Sequence, residues 1–231
     1  MTHVEPPASL SRRFELASSQ VAVGARTYDM LRPRSVDDLI SEEDFAIDER
    51  IPYWADCWPS GRILAERLAR EPGRRRSLLE LGCGIGLVSV AAAAAGFRVL
   101  ATDYYADALE FTAANAERNG VGEIDTRLVD WRSLPDDLGA FDLVVAADVL
   151  YELPQAVLIA AALERALAPG GYGLVTDPGR RTSLALVQQC AARGLRAQCI
   201  GCVPTTDAGA KLTVSVYEIR RAGSGAAILG A

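Results

Sequence analysis

The stretch Leu79-Glu-Leu-Gly-Cys-Gly-Ile-Gly-Leu87 joins a short apolar strand to a helix through three closely spaced glycines. The strand is predicted over Ser77–Leu81 and the helix over Leu87–Ala95, which Gly96 ends. A helix that begins behind a glycine loop presents unpaired N–H groups and the positive end of its dipole. Glycine also lets a ligand approach the backbone where a Cβ atom would block it. The stretch therefore predicts a ligand site, with a tight turn that merely needs glycine as the structural alternative.

Two acidic residues near this loop indicate the kind of ligand. Glu80 stands two residues before the first glycine, and Asp103 ends the next predicted strand, where a carboxylate can bind both hydroxyls of a ribose. A dinucleotide site uses the spacing G-x-G-x-x-G and places a pyrophosphate at the loop. Here Leu87-Val88 follows the third glycine, and Glu80 would repel a pyrophosphate. A sulfonium ligand with an amino group fits better, which favours a methyl donor over a dinucleotide.

From Ser77 onward the chain alternates between strand and helix patterns, which predicts an α/β fold with right-handed crossovers. The predicted strands are Ser77–Leu81, Arg98–Thr102, Ile124–Val129, Phe141–Ala147, Tyr172–Thr176, Leu195–Cys202 and Leu212–Ile219. The predicted helices are Gly61–Ala69, Leu87–Ala95, Asp107–Asn119, Pro154–Leu167 and Thr182–Arg193. Only the loop Val203–Lys211 joins the last two strands, so they are expected to pair antiparallel. The prediction is a doubly wound, Rossmann-like, mostly parallel seven-stranded sheet with an antiparallel last strand and helices on both faces.

The two ends of the chain have less regular patterns. Residues 1–50 are expected to be an N-terminal extension, with a hairpin over Arg12–Tyr28 and an acidic stretch over Asp37–Glu49. Residues 51–221 are expected to form one domain. Residues 222–231 are rich in glycine, alanine and serine and are expected to be a flexible tail.

The composition argues against several functional classes. Half of the 231 residues are hydrophobic and the net charge is −6, so general nucleic-acid binding has no electrostatic basis. One histidine and five cysteines without paired zinc spacing argue against a metal site, a Ser-His-Asp triad and a Cys-His nucleophile. The sequence has no signal-peptide pattern and no apolar run long enough for a membrane. Together with unpaired cysteines this predicts a cytoplasmic protein; the oligomeric state has no signature in the sequence.

Four motifs together resemble the class I, seven-β-strand methyltransferases that use S-adenosyl-L-methionine. They are the stretch 79–87, Asp103, Val129-Asp-Trp131 and Ala147-Asp-Val-Leu-Tyr151. The last is similar to the Asp-x-x-Tyr motif of a group that contains many protein-lysine methyltransferases. Ile51-Pro-Tyr-Trp-Ala-Asp-Cys-Trp-Pro-Ser-Gly61 is similar to a Trp-containing segment of the same group. The resemblance covers roughly residues 51–219 and implies S-adenosyl-L-methionine as the cofactor.

The resemblance also implies which residues surround the cofactor. Glu80 and the glycines would hold the methionine and ribose, Asp103 the ribose hydroxyls, and Asp130 the amino group of the adenine. The complete set is Trp58, Glu80, Gly82, Cys83, Gly84, Gly86, Asp103, Tyr104, Asp130, Trp131 and Ala147. In this set Trp58 would cover the methionine end or the substrate channel, because aromatic faces suit a sulfonium, and Tyr104 and Trp131 would lie against the adenine.

Asp148 and Tyr151 are the candidate catalytic residues. They follow the predicted strand Phe141–Ala147, at the edge where open α/β sheets place their chemistry. A lysine amine, with a pKa of about 10.4, is mostly protonated at neutral pH, and a carboxylate or phenol can orient it or relay its proton. The structural alternatives are a helix cap for Asp148 and a packing aromatic for Tyr151. Asp177-Pro-Gly-Arg180, after the next strand, is a further candidate for substrate contact.

Three functions are left open by the sequence. The first is an S-adenosyl-L-methionine-dependent N-methyltransferase whose favoured acceptor is a protein lysine. The second is a small-molecule methyltransferase that acts on an amine, hydroxyl or carboxyl group. The third is a noncatalytic, nucleotide-bound interaction module.

Overall fold

The computed structural model describes residues 5–35, 39, 53–122, 124–207 and 209–223, which form six α-helices and nine strands. The helices are α1 (Ala8–Arg13), α2 (Pro59–Ala69), α3 (Leu87–Ala94), α4 (Ala106–Arg118), α5 (Leu153–Ala166) and α6 (Thr182–Ala192). The strands are β1 (Leu16–Val23), β2 (Arg26–Pro33), β3 (Ser77–Leu81), β4 (Arg98–Asp103), β5 (Asp125–Leu128), β6 (Phe141–Ala147), β7 (Leu167–Asp177), β8 (Leu195–Asp207) and β9 (Ala210–Arg221). Within these ranges, no helix is long and apolar enough to cross a membrane.

Seven of the strands form one sheet in the order β5-β4-β3-β6-β7-β9-β8. The five strands from β5 to β7 pair in parallel, and β9 pairs antiparallel with both β7 and β8. The predicted mostly parallel, seven-stranded sheet with an antiparallel last strand is confirmed. The strand order reverses between β3 and β6, and open α/β sheets bind ligands outside the carboxyl ends of the strands at such a point.

Helices cover both faces of the sheet, as predicted. Helices α2, α3 and α4 pack into one apolar core, and α5 and α6 pack into the other. β3 contributes to both, since Leu78 lies in the first core and Leu79 and Leu81 lie in the second. Successive side chains of a strand point to opposite faces, so a strand between two helical layers needs apolar residues on each side.

β1 and β2 form a separate antiparallel hairpin, with Leu16 opposite Pro33 and Val23 opposite Arg26. The hairpin predicted over Arg12–Tyr28 was wrong at both ends. α1 includes Arg12, and the turn lies at Gly24, which adopts a positive φ of 58° that favours glycine. The predicted acidic stretch lies almost entirely outside the described residues, as does the tail from residue 224 onward.

A buried asparagine, Asn115 of α4, connects this hairpin to the sheet domain. Its side-chain oxygen accepts the N–H of Leu31 at 2.7 Å, and its amide nitrogen donates to the carbonyl oxygen of Leu31 at 2.9 Å. The same nitrogen donates to the carbonyl oxygen of Ile85 in the glycine loop at 2.8 Å. Asn115 therefore pairs with β2 as a neighbouring strand would, and it holds the glycine loop at the same time.

Two predicted boundaries in the second half of the chain were wrong. β7 begins at Leu167 and includes the segment Pro169-Gly-Gly171, because a register shift against β6 accommodates the extra residues. The predicted loop Val203–Lys211 is largely strand, since the β8–β9 ladder continues to the pair Asp207 and Ala210. Most side chains in this part of β8 are exposed, so no hydrophobic pattern marks it as a strand.

Candidate functional site

A cleft of about 260 Å³ opens at the carboxyl ends of β3, β4 and β6, where the strand order reverses. All of the predicted cofactor-binding and catalytic residues except Gly86 line it, whereas the further candidate for substrate contact, Asp177–Arg180, does not. Those that do are Trp58, Glu80, Gly82, Cys83, Gly84, Asp103, Tyr104, Asp130, Trp131, Ala147, Asp148 and Tyr151. The fold thus brings together segments that are far apart in the sequence.

The three glycines of the loop all adopt left-handed backbone conformations, with φ of 75° at Gly82, 54° at Gly84 and 88° at Gly86. A Cβ atom at Gly84 would lie 2.8 Å from the carbonyl oxygen of Trp54, and one at Gly86 would lie 2.6 Å from the hydroxyl oxygen of Thr112. Gly86 therefore serves the packing of the loop against α4. Gly82 and Gly84 border the cleft itself.

Asp103 holds the glycine loop from the end of β4. Its Oδ2 accepts the N–H of Gly84 at 2.9 Å, and its Oδ1 accepts the N–H of Tyr105 at 3.0 Å. Burial raises the pKa of this carboxyl above its ordinary value, against the effect of these backbone hydrogen bonds. The carboxylate is thus fixed at the mouth of the loop with its remaining lone pairs toward the cleft it lines.

Glu80 is a buried acid at the end of β3, with 1% of its surface exposed. Its Oε2 accepts a short hydrogen bond from the hydroxyl of Ser89 on α3. Burial, with the nearby charge of Asp103 adding to it, raises the pKa of Glu80 to about 8. A cationic group in this part of the cleft would favour the ionised form of Glu80, so the site suits a positively charged ligand.

Trp131 and Arg132 form the opposite end of the cleft, after β5. A Cβ atom at Gly82 would lie 3.2 Å from the Trp131 ring, so glycine allows the indole to approach the loop. The Arg132 guanidinium pairs with Asp130 at 2.9 Å and lies 5.2 Å from the centre of the Tyr104 ring. Sequence reasoning missed Arg132; its position directly after the Asp-Trp motif was the available signal.

Three aromatic residues, Tyr53, Trp58 and Tyr151, form what we call the aromatic wall of the cleft. The ring centres of Tyr53 and Tyr151 are 5.5 Å apart, and those of Tyr53 and Trp58 are 5.9 Å apart. The indole N–H of Trp58 donates to the carbonyl oxygen of Tyr53 at 2.7 Å, which fixes the segment before α2 over the cleft. Tyr53 is 40% exposed, so the wall extends from the cleft to the surface.

Asp148 lies beside this wall in a strained backbone conformation, with φ of 61°, which is rare for a residue with a Cβ atom. Its N–H donates to the carbonyl oxygen of Thr176 at 3.0 Å, and its side chain is only 7% exposed. The helix-cap alternative is wrong, because the N-cap of α5 is Glu152. One carboxylate oxygen, Oδ1, lies 2.6 Å from a guanidinium nitrogen of Arg180.

Four buried polar atoms of cleft residues have no hydrogen-bond partner among the described residues. They are Nε1 of Trp131, Oδ1 and Oδ2 of Asp148, of which Oδ1 forms the ion pair with Arg180, and Oε1 of Gln155. Buried polar atoms in folded proteins are nearly always satisfied, so both donors and acceptors are available here to a bound molecule. Gln155 was not predicted, since no sequence motif distinguishes it from any other polar residue in the first turn of a helix.

Comparison with known proteins shows similarity to methyltransferases. The model of a methyltransferase domain family matches residues 78–171. The chain is 34% identical over 133 residues to the electron transfer flavoprotein beta subunit lysine methyltransferase of Xenopus laevis, covering 56% of this chain and 53% of that protein. It is 32% identical over 123 residues to the nocamycin O-methyltransferase of Saccharothrix syringae, covering 52% of this chain and 43% of that protein.

A solved structure of a SAM-dependent methyltransferase from Methanosarcina mazei superposes with a TM-score of 0.58 at 16% identity, covering 72% of this chain and 99% of that one. This likeness concerns the fold alone. The chain spans about half the length of the curated relatives that it matches. Fold, matched domain and relatives agree: residues 78–171 match a methyltransferase domain, and the chain is similar to class I methyltransferases and, among its relatives, to protein-lysine methyltransferases.

Proposed function

We propose that this chain is an S-adenosyl-L-methionine-dependent N-methyltransferase whose acceptor is a lysine side chain of another protein. The observation that carries the proposal is the arrangement of one cleft, in which two buried acids and a glycine loop adjoin an aromatic wall and Asp148. The proposal assigns this activity to residues 51–221, with residues 1–50 as an N-terminal extension and residues 222–231 as a tail. The unpaired cysteines among the described residues favour a cytoplasmic protein.

The residues at the loop fit the proposed cofactor in charge and shape. Asp103 has lone pairs for ribose hydroxyls, and Glu80 would face the cationic methionine end, where its charge is favourable. Trp131 and Tyr104 offer ring faces to the adenine, and the unpartnered Nε1 of Trp131 is a donor for a ring nitrogen or a water. When bound, S-adenosyl-L-methionine supplies a methyl group on a positively charged sulfur.

The aromatic wall and Asp148 supply what an amine acceptor needs. An ammonium group is attracted to aromatic faces, and the wall forms a path of such faces from the surface to Asp148. The Asp148 carboxylate can hold the amine by a charge-assisted hydrogen bond. A protonated amine has no lone pair with which to attack the methyl group. The Tyr151 hydroxyl can then take part in removal of that proton. Alignment of the amine with the methyl group supplies much of the catalysis.

The second candidate is transfer to a small molecule. Its support is the similarity to an O-methyltransferase, whose identity to this chain is almost as high as that of the lysine methyltransferase. A hydroxyl or carboxyl acceptor carries no positive charge, so its binding does not need an anionic side chain nearby. The buried Asp148 carboxylate beside the aromatic wall therefore favours an amine over these groups.

One labelling experiment separates the candidates. The purified chain is incubated with methyl-tritiated S-adenosyl-L-methionine and a cell extract that has been divided by dialysis into macromolecules and small molecules. We expect label in protein, stable to mild base, and recovered as methylated lysine after acid hydrolysis. Base-labile label or label in the dialysate would replace the lysine proposal with the second candidate. Tight binding of NAD in place of S-adenosyl-L-methionine, measured by calorimetry, would overturn both.

A further inference from the structure

Arg180 lies behind the cleft, between two buried carboxylates. One of its guanidinium nitrogens is 2.6 Å from Oδ1 of Asp148 and 3.1 Å from Oδ2 of Asp177. The side chains of Asp148 and Asp177 are 7% and 0% exposed, whereas that of Arg180 is 32% exposed. A single cation therefore bridges two acids that belong to different strand ends, β6 and β7.

Asp177 fixes the position of Arg180 independently of Asp148. Its Oδ1 accepts the N–H groups of Gly179 at 2.9 Å and of Arg180 at 2.6 Å, which closes the turn that follows β7. The guanidinium of Arg180 then reaches back to the other oxygen of the same carboxylate at 3.1 Å. Burial lowers the pKa of Arg180, but the two carboxylates outweigh it and raise the pKa overall. Backbone and side chain together hold this cation in one place.

The pairing leaves the two oxygens of Asp148 in different states. Neither oxygen has a hydrogen-bond partner in the part of the chain that the structure describes, but Oδ1 forms an ion pair with Arg180 at 2.6 Å and Oδ2 forms none there. Asp148 lines the cleft and Arg180 does not. The positive φ of Asp148 and the bond of its N–H to Thr176 fix the direction in which the side chain leaves the backbone.

We propose that Arg180, anchored by Asp177, is a positioning residue that holds Oδ1 of Asp148 so that Oδ2 is presented to the acceptor amine. Without the cation, the carboxyl group would be free to rotate and two buried acids would adjoin each other with nothing between them. A misplaced hydrogen-bonding group lowers the rate without weakening the cofactor contacts. The inference rests on the proposed function, since it assigns Asp148 to the acceptor.

The test compares Arg180→Met, Arg180→Lys and the neighbouring control Arg181→Met, because Arg181 is exposed and immediately adjacent. With a methylated substrate, Arg180→Met is expected to lower kcat at least about tenfold while the KM for S-adenosyl-L-methionine changes less than about twofold. Arg180→Lys keeps the charge and is expected to recover part of kcat. It also serves as the test variant if Arg180→Met does not fold. Arg181→Met should behave as wild type. Equal kcat for wild type and both Arg180 variants would overturn the proposal.

A second measurement does not depend on turnover. The carboxyl-carbon NMR resonance of Asp148, assigned by its loss in Asp148→Asn, should shift in Arg180→Met and stay in place in Arg181→Met. If the wild type binds the cofactor yet methylates nothing, the proposed function fails, and this resonance still decides whether Arg180 sets the state of Asp148. An unchanged Asp148 resonance in Arg180→Met would overturn the inference even in an active enzyme.

Discussion

Asp103 and Gly84 are joined by a hydrogen bond of 2.9 Å from the glycine N–H to Oδ2 of the carboxylate. The end of β4 therefore sets the shape of the loop that follows β3. The acid at this position has two roles in the proposed site, because it contacts the loop and faces the ribose. Substitutions that keep one role and remove the other can separate them.

Asp103→Ala and Asp103→Asn are expected to weaken binding of S-adenosyl-L-homocysteine, the demethylated cofactor, at least about tenfold. A hydrogen bond to a charged group contributes about 1.5–3 kcal/mol, and about 1.4 kcal/mol is a factor of ten. Asparagine keeps one acceptor oxygen for the N–H of Gly84 or of Tyr105 and alanine keeps none, so the alanine variant should lower the melting temperature more. Calorimetry and thermal melting measure the two effects. An unchanged dissociation constant in both variants would remove Asp103 from the site.

Gly84→Ala and Gly120→Ala form a matched pair that tests the loop. Both glycines have positive φ, 54° and 61°, but a Cβ atom would meet the Trp54 carbonyl oxygen at 2.8 Å at Gly84 and nothing within 4 Å at Gly120. Each substitution costs about 1–2 kcal/mol for the left-handed backbone. Only Gly84→Ala must also displace the loop, so it alone should abolish measurable cofactor binding. Equal affinity in the two variants would show that the approach of Trp54 is not needed.

Glu80 should make the folded state less stable as the pH rises from about 4.5 to about 8. Its ordinary pKa is 4.5 and burial raises it to about 8, so in this window the folded state binds more protons than the unfolded state. Each pKa unit corresponds to about 1.4 kcal/mol. Glu80→Gln is therefore expected to raise the free energy of unfolding at pH 8 by at least about 1.4 kcal/mol, measured by urea denaturation. At pH 4 the two proteins should be nearly equal, and a parallel pH dependence in both would contradict the assignment to Glu80.

Tyr151→Phe is expected to slow methyl transfer by about 100-fold, and Asp148→Asn by more, with cofactor affinity nearly unchanged in each. General acid–base groups contribute about 100-fold or more, and the asparagine also removes the charge that would hold an ammonium. Tyr217→Phe, on β9 and outside the cleft, is the control for loss of a tyrosine hydroxyl. Turnover within about twofold of wild type for both cleft variants would exclude the proposed roles.

Local patterns in the sequence predicted the parallel part of the fold well. β6 was predicted with its observed bounds, Phe141–Ala147, because a strand buried on both faces reads as an unbroken apolar run. The ends of β8 and β9 were missed because their exposed residues carry no such signal. The bounds of the hairpin were predicted wrongly because its turn depends on Gly24, and the sequence does not distinguish this glycine from the other 19.

The candidate site was predicted where residues follow strand ends, and missed where contacts join separate segments. Glu80, Asp103 and Asp148 each stand at a strand end and therefore meet at one edge of the sheet. The bridge between Arg180 and Asp148 depends on the side-chain positions of two loops. The unpartnered oxygen of Gln155 is a property of its surroundings, which only coordinates reveal.

Asn115 links the glycine loop to the N-terminal hairpin, so the loop needs the hairpin in order to keep its shape. A fragment limited to the matched region 78–171 would lose β2, leaving the buried Asn115 amide without the N–H and carbonyl group of Leu31. Each such loss costs about 1–3 kcal/mol when the group stays buried, and the apolar side chains of Tyr28 and Met30 would leave the same core. The smallest piece of this chain that could replace the corresponding part of a relative therefore starts before Leu16. That start lies well ahead of residues 78–171, the region in which sequence similarity to the methyltransferase domain is detected.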